Sequence, residues 1–305
     1  MNGQWAAISV PLRPEALDDV SVALQRLVGR AFAVETQPRS AERDWPVTAH
    51  AYLPPGERQA AARHELLLVL EMLRIAGDGL VGAATEAFVD ADTCRTSWRE
   101  HYGPLAVGRR LLIVPAWLDR PRDQIERIPI FLDSAMAFGT GHHPTTQLAL
   151  ASLEGAVDPG DVVVDVGTGS GVLAIAAAKL GAARVYAFDR DPEAGPAAAA
   201  NIQRNGVAGR IDLTVPSSSL GAPELAALVV ANIVASVHKK LMPEYAELLA
   251  PAGRLLLSGV IDTCIEDVIA AAQPFGLSLQ AVAAAEEWRL LDFTKESPPS
   301  IDVEN

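Results

Sequence analysis

The order of apolar and polar positions divides the chain into two unlike stretches. In residues 1–92 short and long periods alternate. Trp5–Val10 reads as a strand, and Pro14–Val28 places Leu17, Val20, Leu24, Leu27 and Val28 near helical spacing. Ala31–Thr36 and Val47–Leu53 read as strands, Gly56–Ile75 as a second helix, and Leu80–Val89 as a fourth strand. Within the second helix the run Leu66–Leu70 predicts burial on most sides. The order β-α-β-β-α-β predicts a small N-terminal ferredoxin-like α/β domain over residues 1–92.

Residues 93–128 read as a linker. It holds Trp98, His101, Tyr102, the Arg109-Arg110 pair and Trp117, and such aromatics predict partial order. From residue 129 strands and helices alternate. Strands are expected at Asp161–Val166, Arg184–Asp189, Arg210–Val215, Leu228–Ala231 and Arg254–Ser258, with strand-like segments at Leu277–Val282 and Trp288–Phe293. Helices are expected at Gly171–Leu180, Pro192–Asn205, Ser236–Leu249 and Asp262–Ala272. This alternation predicts an α/β unit over 129–297, a mainly parallel sheet covered on both faces. Its ligand is expected beyond the carboxyl ends of the strands, near the switch point. Residues 298–305 are expected to form a disordered tail.

Composition narrows the classes. Of 305 residues 50% are hydrophobic and 21% charged, as in a globular protein. No apolar run approaches the ~20 residues of a membrane helix, and residues 1–10 show no signal-peptide pattern. Cys94 and Cys264 form neither a disulfide framework nor a metal spacing, so a reducing cytoplasm is the expected location. Asp and Glu total 38 against 25 Lys and Arg, a net charge of −13. Such a surface repels a phosphate backbone, so no direct nucleic-acid ligand is expected. A basic protein or a cationic small molecule suits it better, although the charge also serves solubility alone.

The densest chemistry lies in Val162-Val-Val-Asp165-Val-Gly167-Thr-Gly169-Ser-Gly171, a buried strand, a glycine-rich turn and a helix start. Glycines there permit tight turning and close backbone approach to a ligand. A dinucleotide fingerprint is nominally met from Gly169 through Gly171 and Ala174, and fails from Gly167 because residue 172 is Val. Charge favours another donor class. A pyrophosphate would face the Asp165 carboxylate, whereas S-adenosylmethionine presents an ammonium and a sulfonium. Asp189, at the end of the next strand, can accept from ribose hydroxyls in either class.

Several phrases occur in order: Trp98-Arg-Glu-His-Tyr-Gly-Pro-Leu-Ala-Val-Gly108, Phe138-Gly-Thr-Gly-His-His-Pro-Thr-Thr146, the Asp165–Gly171 loop, Asp189-Arg-Asp-Pro192, Asn205-Gly-Val207, Val230-Ala-Asn-Ile233 and Glu287-Trp288. In these the chain resembles the PrmA family, methyltransferases of large-subunit ribosomal protein L11. The resemblance covers most of residues 93–295. It implies a class I S-adenosylmethionine-dependent methyltransferase fold (Rossmann-like) and S-adenosylmethionine as cofactor. It also implies methylation of lysine ε-amines and the protein α-amine of that ribosomal protein, gripped by the N-terminal domain.

Four positions match that family's cofactor contacts: Thr146, Gly167, Asp189 and Asn232. Thr146 at a helix start can bond a ligand carboxylate or cap the helix. Asn232, ending a buried strand, can bond the donor, orient an amine or serve a turn. Asp165 and Gly169 of the loop, and Phe138, complete the expected cofactor set. Phe138 can pack over the cofactor or in the core. His142-His143 lack a supporting cluster, so no metal is expected. Gly139 and Gly141 point to a flap over the donor. Glu286, Glu287 and Trp288 can line an amine entrance or form a solvated turn.

No catalytic residue is assigned, because no general base stands out. The chain departs from the family pattern at Ser134-Ala135, at Gly195-Pro196 and in Pro216–Leu220, which has no acid for an adenine amine. A monomer is expected. Two other readings stay open: a related methyltransferase for another protein or a small amine, and a silent module that binds protein through residues 1–92.

Overall fold

In a computed structural model the chain falls into two compact units, Met1–Tyr102 and Gly103–Asn305. The structure describes residues 4–297 except 14–15, 17–19, 21–22, 25–26, 28–31, 37–46, 57–58, 78, 91–102, 134–140, 142, 193 and 218–219. Among the described residues no helix is long and apolar enough to cross a membrane.

The first unit is built on four strands: β1 (Trp5–Leu12), β2 (Phe32–Thr36), β3 (Val47–Leu53) and β4 (Thr85–Val89). They pair antiparallel in the order β2-β3-β1-β4, with Ile8 opposite Ala51 and Glu86. This is the strand order of a split βαβ unit. In β1 and β3 alternate residues are buried, as the two-residue period requires. Ile8, Val10, Leu12 and Ala49 meet Leu66 and Leu70 of helix α1 (Gln59–Ala76) in one apolar core. The helix expected at Pro14–Val28 lies largely outside the described residues, although Val20 and Leu24 join the same core.

One expectation fails here. The run Leu66–Leu70 is not buried on most sides: Leu66 and Leu70 are buried, while Leu68 is 52% exposed. The sheet offers one face, so positions three and four apart reach it: Leu67 and Leu73 pack partly against the same core, and Leu68 turns away.

The stretch read as a linker behaves differently from Gly103 onward, where it belongs to the second unit. It forms β5 (Leu105–Val107), β6 (Leu111–Pro115) and β7 (Ile128–Leu132). β5 pairs antiparallel and β7 parallel with β6. The turn between β5 and β6 depends on a distant carboxylate. Glu154 accepts the backbone N–H groups of Arg109 (2.8 Å), Arg110 (2.8 Å) and Leu111 (3.0 Å). Residues 91–102, with Trp98, His101 and Tyr102, lie outside the described residues.

The rest of the unit alternates as expected: α2 (Pro144–Leu153), β8 (Val162–Val166), α3 (Val172–Leu180), β9 (Arg184–Phe188), α4 (Ala194–Arg204) and β10 (Ile211–Thr214). It continues with β11 (Ala226–Asn232), α5 (Ala235–Leu248), β12 (Leu249–Ile261), α6 (Ile265–Ala272), β13 (Leu277–Ala285) and β14 (Trp288–Lys295). The sheet order is β10-β9-β8-β11-β12-β14-β13. The pairings from β10 to β12 are parallel, and β14 runs antiparallel to both its neighbours. The order reverses between β8 and β11, the switch point at which sheets of this kind take their ligands. Pro196 fits α4 without a break, because it falls in the first turn, where N–H groups have no intrahelical partner.

Candidate functional site

Both faces of the seven-stranded sheet are covered, and α3 is buried at every residue except Lys179. A helix held this firmly fixes the turn that precedes it. That turn leaves β8 after Val166 and runs through Gly167, Gly169 and Gly171, at φ +76°, +54° and +84°. Side chains rarely adopt these angles. At Gly167 a Cβ would also stand 2.6 Å from Ile233 Cγ2, so close approach requires glycine there.

Two aspartates organise the loop. The N–H groups of Gly167 and Thr168 both reach Phe188 O at 2.9 Å, which ties the loop to the end of β9. Asp189 follows, and its Oδ2 accepts Gly169 N–H at 2.8 Å while Oδ1 accepts Asp191 N–H at 2.9 Å. Each oxygen keeps a lone pair for a further donor, as ribose recognition requires.

Asp165 is buried completely. Its Oδ2 accepts from Thr168 Oγ1 (2.7 Å) and Ala174 N–H (3.0 Å), and its Oδ1 has no partner. Burial pushes this carboxyl up to about 7, against the two hydrogen bonds, and the neighbouring Asp189 adds to the rise. In sequence Asp165 reads as a standing negative charge. Near neutrality it holds its proton part of the time, and a cation facing Oδ1 would restore the full charge. An orphaned buried acceptor beside a glycine cradle fits a cationic donor.

The second half of the site lies across the switch point. Asn232 ends β11, and its Nδ2 donates to Thr146 Oγ1 at 3.1 Å. Thr146 is buried in the first turn of α2, which begins at Pro144. His143 caps that turn: its Nδ1 accepts Thr145 N–H at 3.3 Å and lies 2.8 Å from Thr145 Oγ1. The His143 ring meets Trp288 edge-on at 5.2 Å. Trp288 therefore lies beside the α2 start, while Glu286 and Glu287 are exposed. Phe138, Gly139 and His142 lie outside the described residues.

The structure thus places Asp165, Gly167, Gly169 and Asp189 at the ends of β8 and β9, and Thr146 with Asn232 at the ends of α2 and β11. Sequence reasoning missed Ser258. This buried residue pairs with Asn232 in register, and its Oγ donates to Thr145 O at 2.8 Å. The signal was a polar residue followed by Gly259 at the end of an apolar strand.

The family profile described as ribosomal protein L11 methyltransferase (PrmA) matches residues 4–296. The chain belongs to this family. A ribosomal protein L11 methyltransferase of Pelotomaculum thermopropionicum is 37% identical over 293 residues, covering 90% of this chain and 94% of its own. One from Symbiobacterium thermophilum is 39% identical over 272 residues, covering 85% and 88%. The solved structure of a ribosomal protein L11 methylase from Lactobacillus delbrueckii subsp. bulgaricus superposes with a TM-score of 0.59 at 35% identity, over 64% of this chain and 100% of that one. Membership brings the class I methyltransferase fold, and the donor is S-adenosylmethionine, as the glycine loop led the sequence to suggest.

Proposed function

We propose that this member of the family transfers methyl groups from S-adenosylmethionine to lysine ε-amines and the α-amine of ribosomal protein L11. The observation that carries the site assignment is the pairing of two half-sites at one switch point, Asp165–Asp189 around the glycine loop and Thr146–Asn232 opposite. When bound, the donor supplies a methyl carbon activated by its sulfonium.

The chain's own work is alignment. Asp189 keeps acceptor capacity for ribose hydroxyls. Asp165 Oδ1 offers a buried acceptor to the donor's cationic end. Thr146 Oγ1 accepts from Asn232, which leaves the hydroxyl proton to give to a carboxylate. Asn232 retains its carbonyl oxygen, which can accept from an incoming amine and orient its lone pair. Lysine enters at an ordinary pKa of ~10.4 and must be neutral to react. Loss of water around the amine beside Trp288 disfavours the ammonium form, and water takes the proton. The first unit is the part we assign to gripping the ribosomal protein.

Calorimetry on Asp189→Ala tests the site. We expect S-adenosylmethionine affinity to fall at least about tenfold, and an unchanged affinity would sink the assignment. Labelled donor with a mixture of ribosomal proteins tests the substrate. One labelled band at L11, with lysine among the labelled residues, is expected. Label on other proteins only, or on none, would overturn the reading.

A further inference from the structure

Helix α4 carries an asparagine with no exposed surface, Asn201, outside the residues discussed so far. Its side chain joins two parts of the second unit that are distant in sequence. Nδ2 donates to Ser170 O, inside the glycine loop, at 3.0 Å. Oδ1 accepts Asp133 N–H, just beyond the end of β7, at 2.9 Å, and Arg204 Nη1 at 3.3 Å. Ala198, one turn earlier on α4, packs 3.6 Å from where a Gly171 Cβ would stand. The helix therefore lies directly against the loop, and Asn201 is its polar contact there.

One turn later Asn205 performs half of the same task. Its Oδ1 accepts Phe131 N–H at 2.9 Å, and its Nδ2 donates to Phe131 O at 2.7 Å, as a neighbouring strand would. Phe131 and Asp133 present their N–H groups on the same edge of β7, two residues apart. Asparagines four apart on a helix share a face and meet that edge together. Asn205 holds β7 to α4 without touching the glycine loop. Asn201 holds β7 and the loop at once.

We infer that Asn201 is a positioning residue for methyl transfer: it sets the glycine loop, through the Ser170 carbonyl, against the strand that leads into the Phe138–Thr146 segment. This rests on the reading that the loop holds the donor. An apolar residue there would remove the bond to the buried Ser170 carbonyl and the bond to Asp133 N–H together. The loop backbone would then relax away from the angles its glycines adopt. The effect should appear in donor binding, and the grip on the ribosomal protein should not change.

Three variants of the full-length chain separate this from simple destabilisation. Asn201→Ala removes the bonds to Ser170 O, Asp133 N–H and Arg204 Nη1 together. Asn201→Asp keeps the acceptor for Asp133 N–H and sets a carboxylate oxygen against Ser170 O. Asn205→Ala loosens β7 alone. We expect the KM for S-adenosylmethionine to rise about tenfold in both Asn201 variants. It should stay within about twofold of the parent in Asn205→Ala, even where the melting temperature falls as far. The KM for the ribosomal protein should be unchanged in all three. A donor KM unchanged in Asn201→Asp, or raised equally by Asn205→Ala, would overturn the inference. Should Asn201→Ala not fold, Asn201→Asp carries the test by itself. Failure of the donor-site reading is read separately, from Asp189→Ala.

Discussion

The two units bury different kinds of side chain. Among the described residues of the first unit, every buried side chain is apolar, from Ala6 to Val81. The buried polar and charged side chains among the described residues, from Thr145 to Ser258, all belong to the second unit. Burying a polar group is costly unless it is bonded, so a chain keeps such groups where they hold a geometry. Here they gather at the carboxyl ends of the sheet, around the glycine loop and the start of α2. In the first unit the polar side-chain contacts, such as Ser9 Oγ to His50 Nδ1 at 2.8 Å and Arg63 to Glu86 at 2.6 Å, lie outside the apolar core. The second unit accepts polar burial, and its part is played from within.

The largest effect that sharpens this contrast is a pH dependence. Burial raises Asp165 to about 7 from an ordinary ~3.9. A carboxyl raised on folding binds more protons in the folded chain. Its contribution to stability is fully present below about pH 4 and is lost as pH rises through about 7. At ~1.4 kcal/mol per pH unit the loss is at most about 4 kcal/mol. Taken alone this term lowers the melting temperature of the unliganded protein between about pH 4 and 7, so over that range the melting temperature of Asp165→Asn should climb with pH relative to the parent's. Equal slopes in the two proteins would show that Asp165 does not hold its proton.

His238 supplies a smaller term of opposite sign. It is buried, with Nε2 2.8 Å from Ser258 O and Nδ1 3.2 Å from Tyr245 Oη. Burial lowers it to about 4, against bonds to the backbone that raise it. A histidine depressed on folding contributes stability above its unfolded value of ~6.5. That stability is lost as pH falls through about 4, by at most about 3 kcal/mol. Between pH 4 and 6.5 the two terms oppose each other, so the parent protein reads flatter than either variant. His238→Gln keeps a donor for Ser258 O and should remove the acid-side loss. An acid-side melting curve identical to the parent's would refute it.

Much of the second unit was legible before the structure. Val162–Val164 and the three glycines that follow announce a buried strand and a turn that needs positive φ. The strand and helix alternation follows from apolar runs bounded by polar turns. What stayed hidden depends on contacts across the chain. β5–β7 are short, and their first turn is held by Glu154, more than forty residues on. Asp165 reads as a charge in sequence, because only packing shows that Thr168 and Ala174 enclose one oxygen and nothing meets the other. The pair Thr146–Asn232 came from a resemblance, since neither residue alone separates a cap or a turn from a site. Leu66–Leu70 misled for a simpler reason: a run of apolar residues does not state how many faces have a partner.

That last point can be tested within one helix, and it gives the smaller stability effects. Leu70 is buried against β1 and β3, so Leu70→Ala removes apolar contacts and leaves a cavity. We expect a loss of about 2 kcal/mol, at the low end for such changes, because a core covered by single elements can settle. Two positions away on either side, Leu68 is 52% and Met72 68% exposed. Leu68→Gln and Met72→Gln should each change stability by less than about 0.5 kcal/mol, and both residues remain good helix formers when replaced by Gln. Denaturant midpoints for the three variants give the comparison directly. If Met72→Gln costs as much as Leu70→Ala, the outer face of α1 is covered in solution, and the first unit buries more than its own sheet requires.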